Sequence, residues 1–330
     1  MRILICGGAG FIGLNFALYS KLNHPEHELI VIDKLDYSAC PQILKENKIT
    51  YYIKDISNIN EIEPLVSETD LVINFAAQSH NDNSFNDPDS FINTNIIGTY
   101  NLLRLCTKYQ KRYHHISTDE VFGQILENQE NHPGFNVDDK YNPTSPYSAS
   151  KASADILVWA WKHSYNLKAS ISYSCNNYGP YQHIEKFIPR SITSIITGKK
   201  PHIYGYGKQV REWIHVQDHC LALWKIILSN KTGKYIITSG IEKTNLEVVQ
   251  TINRCFNKQE TNYLHVSDRK FHDFKYKTDP RPFQKEFNFV PKHTDFEKEM
   301  KDLCQWYINN PWFWQNIKNE VEEKYALENK

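Results

Sequence analysis

The sequence predicts an α/β fold, a doubly wound parallel sheet carrying a smaller C-terminal α/β lobe, and three observations carry that expectation. Short apolar runs alternate with helix-length segments through the first half of the 330 residues. Those runs are continuously rather than alternately hydrophobic, which is the pattern of strands buried on both faces of a parallel sheet. The first run passes directly into a glycine-rich turn that opens a helix.

Taken in order, strands are expected at Ile3–Cys6, Leu29–Ile32, Tyr51–Ile53, Leu71–Phe75, His115–Ile116 (the end of an apolar stretch from Tyr113) and Ala169–Tyr173. The helices between them are expected at Phe11–Leu22, Ser90–Tyr109 and Pro146–His163. The second half is more broken, with turns around Gly179-Pro180, Gly198 to Pro201 and Gly205 to Gly207. Two later helices are announced by capping boxes, Thr244-Asn-Leu-Glu247 and Thr294-Asp-Phe-Glu297, in which a hydroxyl and a carboxylate satisfy two free N–H groups reciprocally. No Ser/Gly linker or internal repeat divides the chain. We expect a dinucleotide-binding part over 1–175 and a substrate-binding lobe over 176–330, with some later segments returning to the first part.

Composition excludes several classes. Lys plus Arg and Asp plus Glu both number 38, so the formal net charge is zero and nothing favours nucleic acid or an anionic membrane. No apolar run reaches the roughly 18 residues of a membrane span, and the N-terminus shows no signal-peptide pattern. Seven cysteines lie scattered without metal-ligand spacing, which reads as reduced, buried thiols in a cytoplasmic protein. No metal site is expected.

Three motifs carry chemistry. In Gly7-Gly8-Ala9-Gly10-Phe11-Ile12-Gly13, glycines 7, 10 and 13 permit a tight turn, close backbone approach to a pyrophosphate and close helix–strand packing, while the helix N-terminus offers free N–H groups. Asp33, about 20 residues on, is placed to bind adenosine ribose hydroxyls and disfavours a 2′-phosphate, so NAD is expected over NADP, with Lys34 alongside. Tyr147 and Lys151 are four apart and share a helix face, where the ammonium lowers the phenol's pKa and holds the nicotinamide ribose. Ser117-Thr118-Asp119-Glu120 sits at a strand's C-terminal end, and its paired carboxylates suit an enzyme that removes water after oxidising an alcohol. Of the histidines, His114 and His115 read as structural and His80, in Gln78-Ser79-His80, as the one most open to a role at the site.

With these segments in order, the chain resembles the extended short-chain dehydrogenase/reductases, and within them the nucleoside-diphosphate-glucose 4,6-dehydratases. The resemblance runs nearly end to end, through GGAGFIG, NFAAQSHNDNSF, TNIIGTYNLL, STDEVFG, PYSASKA, NNYGPYQHIEKFIP, IYGYGKQVREWIHVQDH and DRKFHD. It implies a Rossmann-type sheet, Tyr147 as base with Lys151 as its partner, and Thr118, Asp119 and Glu120 in the active site. Implied NAD contacts are Gly7, Gly10, Phe11, Ile12, Gly13, Asp33, Lys34, Asp55, Ile56, Ala76, Ala77, Thr94 and Asn177, besides Tyr147 and Lys151. Implied contacts to the sugar nucleotide are Ser79, His80, Asn176, Lys186, Phe187, Ile188, Tyr204, Arg211, Asp268 and His272, besides Thr118.

The implied reaction converts UDP-glucose or dTDP-glucose to the 4-keto-6-deoxy sugar nucleotide, a step in the synthesis of deoxysugars such as rhamnose. Tyr147 takes the C4 hydroxyl proton, Glu120 the C5 proton, and Asp119 protonates the departing C6 hydroxyl. Gln78, Asn83 and Phe271 resemble the UDP-glucose enzymes of eukaryotic rhamnose synthesis, which makes UDP-glucose the expected preference. Ile236-Ile237-Thr238-Ser239 replaces a Tyr-Asn-Ile-Gly common in the family, and Lys270 a Pro; both departures bear on nucleotide binding. The family implies a homodimer through the helices of Ser90–Tyr109 and Pro146–His163, and Trp159, Trp161 and Tyr165 fit either that seam or the monomer core. A nucleotide-sugar epimerase or decarboxylase would share Tyr147 and Lys151 without needing both carboxylates, and a non-enzymatic NAD-binding scaffold would need neither.

Overall fold

The computed structural model of the protein describes residues 1–129, 131–268 and 272–328, so the expectations placed on Lys270 and Phe271 lie outside the described residues. In chain order the strands are β1 (Arg2–Cys6), β2 (Glu28–Asp33), β3 (Thr50–Ile53), β4 (Leu71–Asn74), β5 (Arg112–Thr118) and β6 (Ala169–Ser174), followed by β7 (Asn176–Tyr178), β8 (His202–Tyr204), β9 (Val210–His215), β10 (Gly233–Ile237), β11 (Ile241–Thr244) and β12 (Leu264–Val266). Seven of them form one sheet in the order β10-β6-β5-β4-β1-β2-β3, with every neighbouring pair parallel. The register pairs Cys6 with both Ile32 and Asn74, and Thr118 with Ser174. The glycine turn, Asp33, the segment after β4 and the Thr118 segment therefore emerge along one edge, where strand order reverses between β1 and β4 and a crevice opens.

Both faces of the sheet are covered, as the continuous apolar runs suggested, except at the edge strand β3, where Tyr52 and Ile53 are exposed. Ile3, Ile5, Val31 and Ile73 pack on one side with Leu14, Phe16 and Trp224, while Leu4, Ile30, Ile32 and Val72 pack on the other with Leu102, Leu103 and Val158. Each such side chain, fully withdrawn from water, contributes roughly 1.5–3 kcal/mol. The sheet is completed from beyond residue 175: β10 pairs with β6, and the helix Val216–Ser229 lays Trp224 on Phe16, ring centroids 5.8 Å apart, with its indole N–H donating to Ser20 Oγ at 2.8 Å. A separate core of Tyr178, Ile192, Val248, Met300, Tyr307 and Trp314 holds the C-terminal lobe. Its small sheets are β11-β9-β7 and β12-β8.

Two local expectations need correction. The single helix expected at Ser90–Tyr109 is divided: Pro88–Phe91 is α-helical, Ile92–Gly98 is a π-helix, and the α-helix resumes over Thr99–Lys108. The wider π turn brings Thr94 to the crevice and the buried Asn95 against the loop after β4, to which it is hydrogen bonded. The capping box at Thr244 and Glu247 is present, but at the second site the cap is Asp295, whose carboxylate accepts from the Lys298 N–H at 3.1 Å; the helix runs Phe296–Asn309, one residue later than a Thr294 cap would allow. An aspartate accepts from the third N–H at least as well as a threonine and sets the start. No helix among the described residues is long and apolar enough to cross a membrane.

Candidate active site

The glycine turn is shaped by contacts that exclude side chains. Gly7 has φ +75°, and a Cβ there would stand 2.5 Å from the Ala76 backbone nitrogen. A Cβ on Gly13 would stand 2.3 Å from the Gly7 carbonyl oxygen, so the first helix packs against the turn only with glycine at that point. Gly10 differs: a Cβ there would meet nothing nearer than the Gly7 carbonyl at 3.5 Å, because that face opens to the cleft. Asp33 pins the turn by accepting from the Ala9 N–H at 3.0 Å and the Leu35 N–H at 2.8 Å. Burial pushes its carboxyl pKa upward, and these N–H bonds work against that shift. Phe11, Ile12, Lys34, Asp55 and Ile56 line the same cleft, as do Ala76, Ala77 and Thr94. Lys34 sits 3.5 Å from Asp36, whose carboxylate also accepts from the Gln78 amide at 2.6 Å.

Tyr147 and Lys151 enter the cleft from the first turns of the helix Pro146–Ser164. That helix starts where it does because Ser145 and Ser148 form a reciprocal capping box, with Pro146 preset at the first helical position. Its register against the cofactor-side loop is set by Asn95, which accepts from the Gln78 N–H at 2.8 Å and donates to the Gln78 carbonyl at 3.0 Å and to Ser150 Oγ at 2.8 Å. Burial, then the charges of Glu120 and Asp119, push the Tyr147 phenol above its ordinary range, opposite to the lowering expected from Lys151, while its hydrogen bond with Thr118 acts in the other sense. Lys151 is buried, and its ammonium donates to the Ile116 carbonyl at 2.7 Å.

Thr118 closes β5, and Asp119 and Glu120 begin a short 3-10 turn. The Thr118 hydroxyl caps that turn, accepting from the Glu120 N–H at 3.3 Å and donating to Asp119 Oδ1 at 3.1 Å. Asp119 is only 4% exposed, and its Oδ2 has no hydrogen-bond partner among the described residues. Burial, with the neighbouring charges of Glu120 and Glu212, holds its carboxyl well above the usual range, so it retains a proton to give. The site thus brings together a phenol, an ammonium, a protonated acid and a second carboxylate at the mouth of one cleft, a set able to move protons on neighbouring carbons of one substrate.

A second cavity opens beside the first, lined by Asn176, Phe187, Tyr204, Arg211 and His272, with Glu185 shared between the two. Ser79 and Lys186 line the first cavity, and Lys186 Nζ donates to the Ser79 carbonyl at 3.0 Å across the cleft. Arg211 is held by the carbonyls of Val210, Asp273 and Phe274, with its guanidinium 4.4 Å above the Tyr276 ring. Other expected contacts lie elsewhere. Asn177 is buried behind the cleft, its amide bonded to Ser174 Oγ, the Cys175 carbonyl and His219. Ile188 is 1% exposed in the lobe's core. Asp268 accepts from His272 at 2.7 Å and from Gln209 at 3.1 Å. His80 is buried 2.8 Å from the Tyr325 hydroxyl. His114 bonds Ser170 and Ser172 within the sheet. Ile237, at the expected Asn position, is fully buried at the end of β10.

Sequence reasoning missed Glu185 and Tyr37. Glu185 lies inside the quoted run NNYGPYQHIEKFIP, but its partner, the Tyr37 hydroxyl at 2.8 Å, is 148 positions away and on the other side of the cleft. Among the described residues no group of three or more His, Cys, Asp or Glu is placed to hold a metal ion.

Comparisons agree with this geometry. Residues 4–303 match the family model for GDP-mannose 4,6 dehydratase. The chain is 43% identical over 328 residues to a dTDP-glucose 4,6-dehydratase of Mycolicibacterium smegmatis, covering 98% of each chain. Among solved structures it is similar to the dTDP-glucose 4,6-dehydratase of Bacillus anthracis in complex with NAD, at TM-score 0.88 and 35% identity, covering 96% of this chain and 99% of that one. It is similar also to that of Streptomyces venezuelae with NAD bound, at TM-score 0.90 and 33% identity over 96% of this chain and 100% of that one. With matches of this extent to a cleft of this construction, the chain belongs to the nucleotide-sugar 4,6-dehydratase family of the extended short-chain dehydrogenase/reductases.

Proposed function

We propose that the protein is an NAD-dependent 4,6-dehydratase of a nucleoside-diphosphate-glucose, with dTDP-glucose as its substrate. The observation that carries this reading is the buried Asp119 beside Glu120, next to the cleft that Tyr147 and Lys151 enter. An epimerase needs the last two groups and has no use for the first two.

The cleft fits NAD. Its glycine turn has no room for side chains at Gly7 and Gly13, opens at Gly10, and presents Asp33 at the end of β2. Bound there, NAD supplies an acceptor for the hydride of C4 and later the donor of that hydride to C6. The chain's own groups move the protons. Tyr147, with the Lys151 ammonium nearby on the same helix, accepts the proton of the C4 hydroxyl. Thr118 donates a hydrogen bond to the C4 oxygen as it becomes a carbonyl, which acidifies the hydrogen on C5. Glu120 takes that proton while Asp119 protonates the C6 hydroxyl, which leaves as water, and Glu120 returns its proton to C5 at the end. Asn176, Lys186, Arg211 and His272 hold the sugar nucleotide.

The dTDP reading follows the nucleotide named for the relatives. Gln78, which with Asn83 favoured UDP-glucose, bonds Asp36 on the cofactor side, Asn83 bonds Tyr37 and the C-terminal helix residue Lys324, and neither lines the second cavity. UDP-glucose remains the second substrate to test, since it differs at the base by one methyl, a contact worth about 1–3 kcal/mol. Residues 1–175 chiefly serve the cofactor and 176–330 the sugar nucleotide. Two copies pair through the helices of 88–108 and 146–164, where Ile92, Ile97 and Ile156 are exposed, and the enzyme works in the cytoplasm. The test is parallel incubation with dTDP-glucose and UDP-glucose and mass spectrometry of the products: loss of one water supports the reading, and an isomer of unchanged mass indicates an epimerase.

A further inference from the structure

Behind Lys151 lies a buried cluster that the proton transfers above do not use. Asp155, one helical turn beyond Lys151 on the same face, is fully buried. Its Oδ2 accepts from the Ser117 hydroxyl at 2.6 Å, and its Oδ1 has no hydrogen-bond partner among the described residues. His115 stands between the two: its Nε2 lies 3.2 Å from Lys151 Nζ and 3.5 Å from Asp155 Oδ1, and its Nδ1 lies 3.1 Å from the Tyr113 hydroxyl. Burial, then the charge of Lys151, hold His115 well below its ordinary range, so the ring is neutral. Accepting from the ammonium at Nε2 then fixes the proton on Nδ1, facing Tyr113.

We propose that Asp155 is a positioning residue for the reaction, the buried counter-ion, seated by Ser117 and His115, that keeps Lys151 charged at the cofactor cleft. A buried carboxylate with one bonded oxygen is stable only beside a cation, and a buried ammonium is stable only beside an anion. Lys151 donates to the Ile116 carbonyl and is paired with a neutral imidazole, so neither supplies that anion. The other groups facing the pair are Tyr147 on the helix itself, Tyr113, His115 and Ser117 on β5, Tyr141 and Tyr173 (the latter on β6), and Lys234 on β10. Asp119 and Glu120 act on Tyr147 from its other side. Burial draws Lys151 below the ordinary lysine range and Asp155 opposes it; burial draws Asp155 up and Lys151 opposes that. Removing the carboxylate's charge therefore leaves burial of the ammonium unopposed.

The proposal rests on the dehydratase reading for its consequence and not for its test. Lysine-selective 13C labelling of the cofactor-bound protein, with the Lys151 resonance assigned by its loss in Lys151→Met, follows the ammonium directly by NMR. In Asp155→Asn, which keeps the shape and the bond from Ser117, the Lys151 midpoint moves down by at least one pH unit, a change of roughly tenfold in its proton affinity. The alkaline limb of kcat/KM moves with it. Ser117→Ala, which weakens Asp155 as an acid without altering the helix, moves the midpoint in the same direction by less, and decides the matter if Asp155→Asn does not fold. A midpoint unmoved in the folded variants, whatever the rate, overturns the proposal. Absence of dehydration in the wild type would instead refute the assigned reaction and leave the midpoint shift to be read.

Discussion

Asp119→Asn separates oxidation from elimination with little disturbance of the fold. Asp119 Oδ1 accepts from Thr118 at 3.1 Å, Oδ2 has no partner among the described residues, and the residue is 4% exposed, so an amide of the same shape keeps the one bond and changes only the group at Oδ2. Because burial and the charges of Glu120 and Glu212 already hold the carboxyl protonated, the substitution exchanges one neutral group for another. Stability should then change by no more than about 1 kcal/mol, the range of a near-isosteric exchange without a lost hydrogen bond. What is lost is the acid that protonates the C6 hydroxyl. A positioned general acid contributes about 100- to 10,000-fold, so water loss should slow by that factor, roughly 3–5 kcal/mol in the barrier. Rapid mixing with dTDP-glucose, watching near-ultraviolet absorbance of the reduced cofactor, should show it forming and persisting, while quenched samples show no dehydrated product. Dehydration at the wild-type rate would refute the assignment of Asp119, and failure to reduce the cofactor at all would refute the independence of the two steps.

Other substitutions and substrates probe the remaining roles. Glu120→Gln should also retain oxidation and accumulate reduced cofactor, whereas Tyr147→Phe should show neither step; a Tyr147→Phe enzyme that reduces its cofactor at the wild-type rate would remove the phenol from the scheme. Gly13→Ala places a Cβ 2.3 Å from the Gly7 carbonyl oxygen and should cost about 1–3 kcal/mol in denaturant unfolding together with loss of cofactor on gel filtration. The protein should purify with NAD bound and turn over repeatedly without added cofactor, and free NADH growing in proportion to product would contradict this. Between nucleotides, kcat/KM should favour dTDP-glucose over UDP-glucose by no more than about 200-fold if one methyl contact decides; a clear UDP-glucose advantage would reverse the choice of nucleotide and leave the chemistry standing.

The parallel sheet was legible because each of its first six strands announces itself locally. Leu71–Ile73 and Ile30–Ile32 are apolar throughout since both faces are covered, and the glycine turn has no other use for its spacing. The seventh strand was not read: Ile236 and Ile237 looked like a departure from a nucleotide-binding pattern, and only pairing with β6, more than 60 positions earlier, makes them a strand. The π-helix at Ile92–Gly98 was missed for a similar reason. Its sequence suits a continuous α-helix, and what widens the turn goes with tertiary contacts, the bonds from Asn95 to Gln78 and Ser150. Within the site, the groups that touch the cleft were recognisable from motif and spacing, while Asn177 and Ile188 sit one residue beyond cleft-lining neighbours and turn inward. In the strand Asn176–Tyr178 adjacent side chains point to opposite faces, and on the helix Phe187–Ile196 neighbours are turned by about 100°, so moving one residue along exchanges a lining residue for a core one. Glu185 with Tyr37, and Asp155 with Ser117, had no such local signal, because a hydrogen bond between distant positions acquires meaning only when folding brings its partner near.

The central claim is that one hydride leaves C4 and returns to C6 of the same sugar while water is lost between. It is tested most directly with dTDP-glucose carrying deuterium at C4, followed by mass spectrometry and NMR of the product. The account predicts a product lighter by one water that retains the deuterium, now bonded to C6. A product of unchanged mass, or a dehydrated one whose C6 carries only solvent-derived hydrogen, would contradict it.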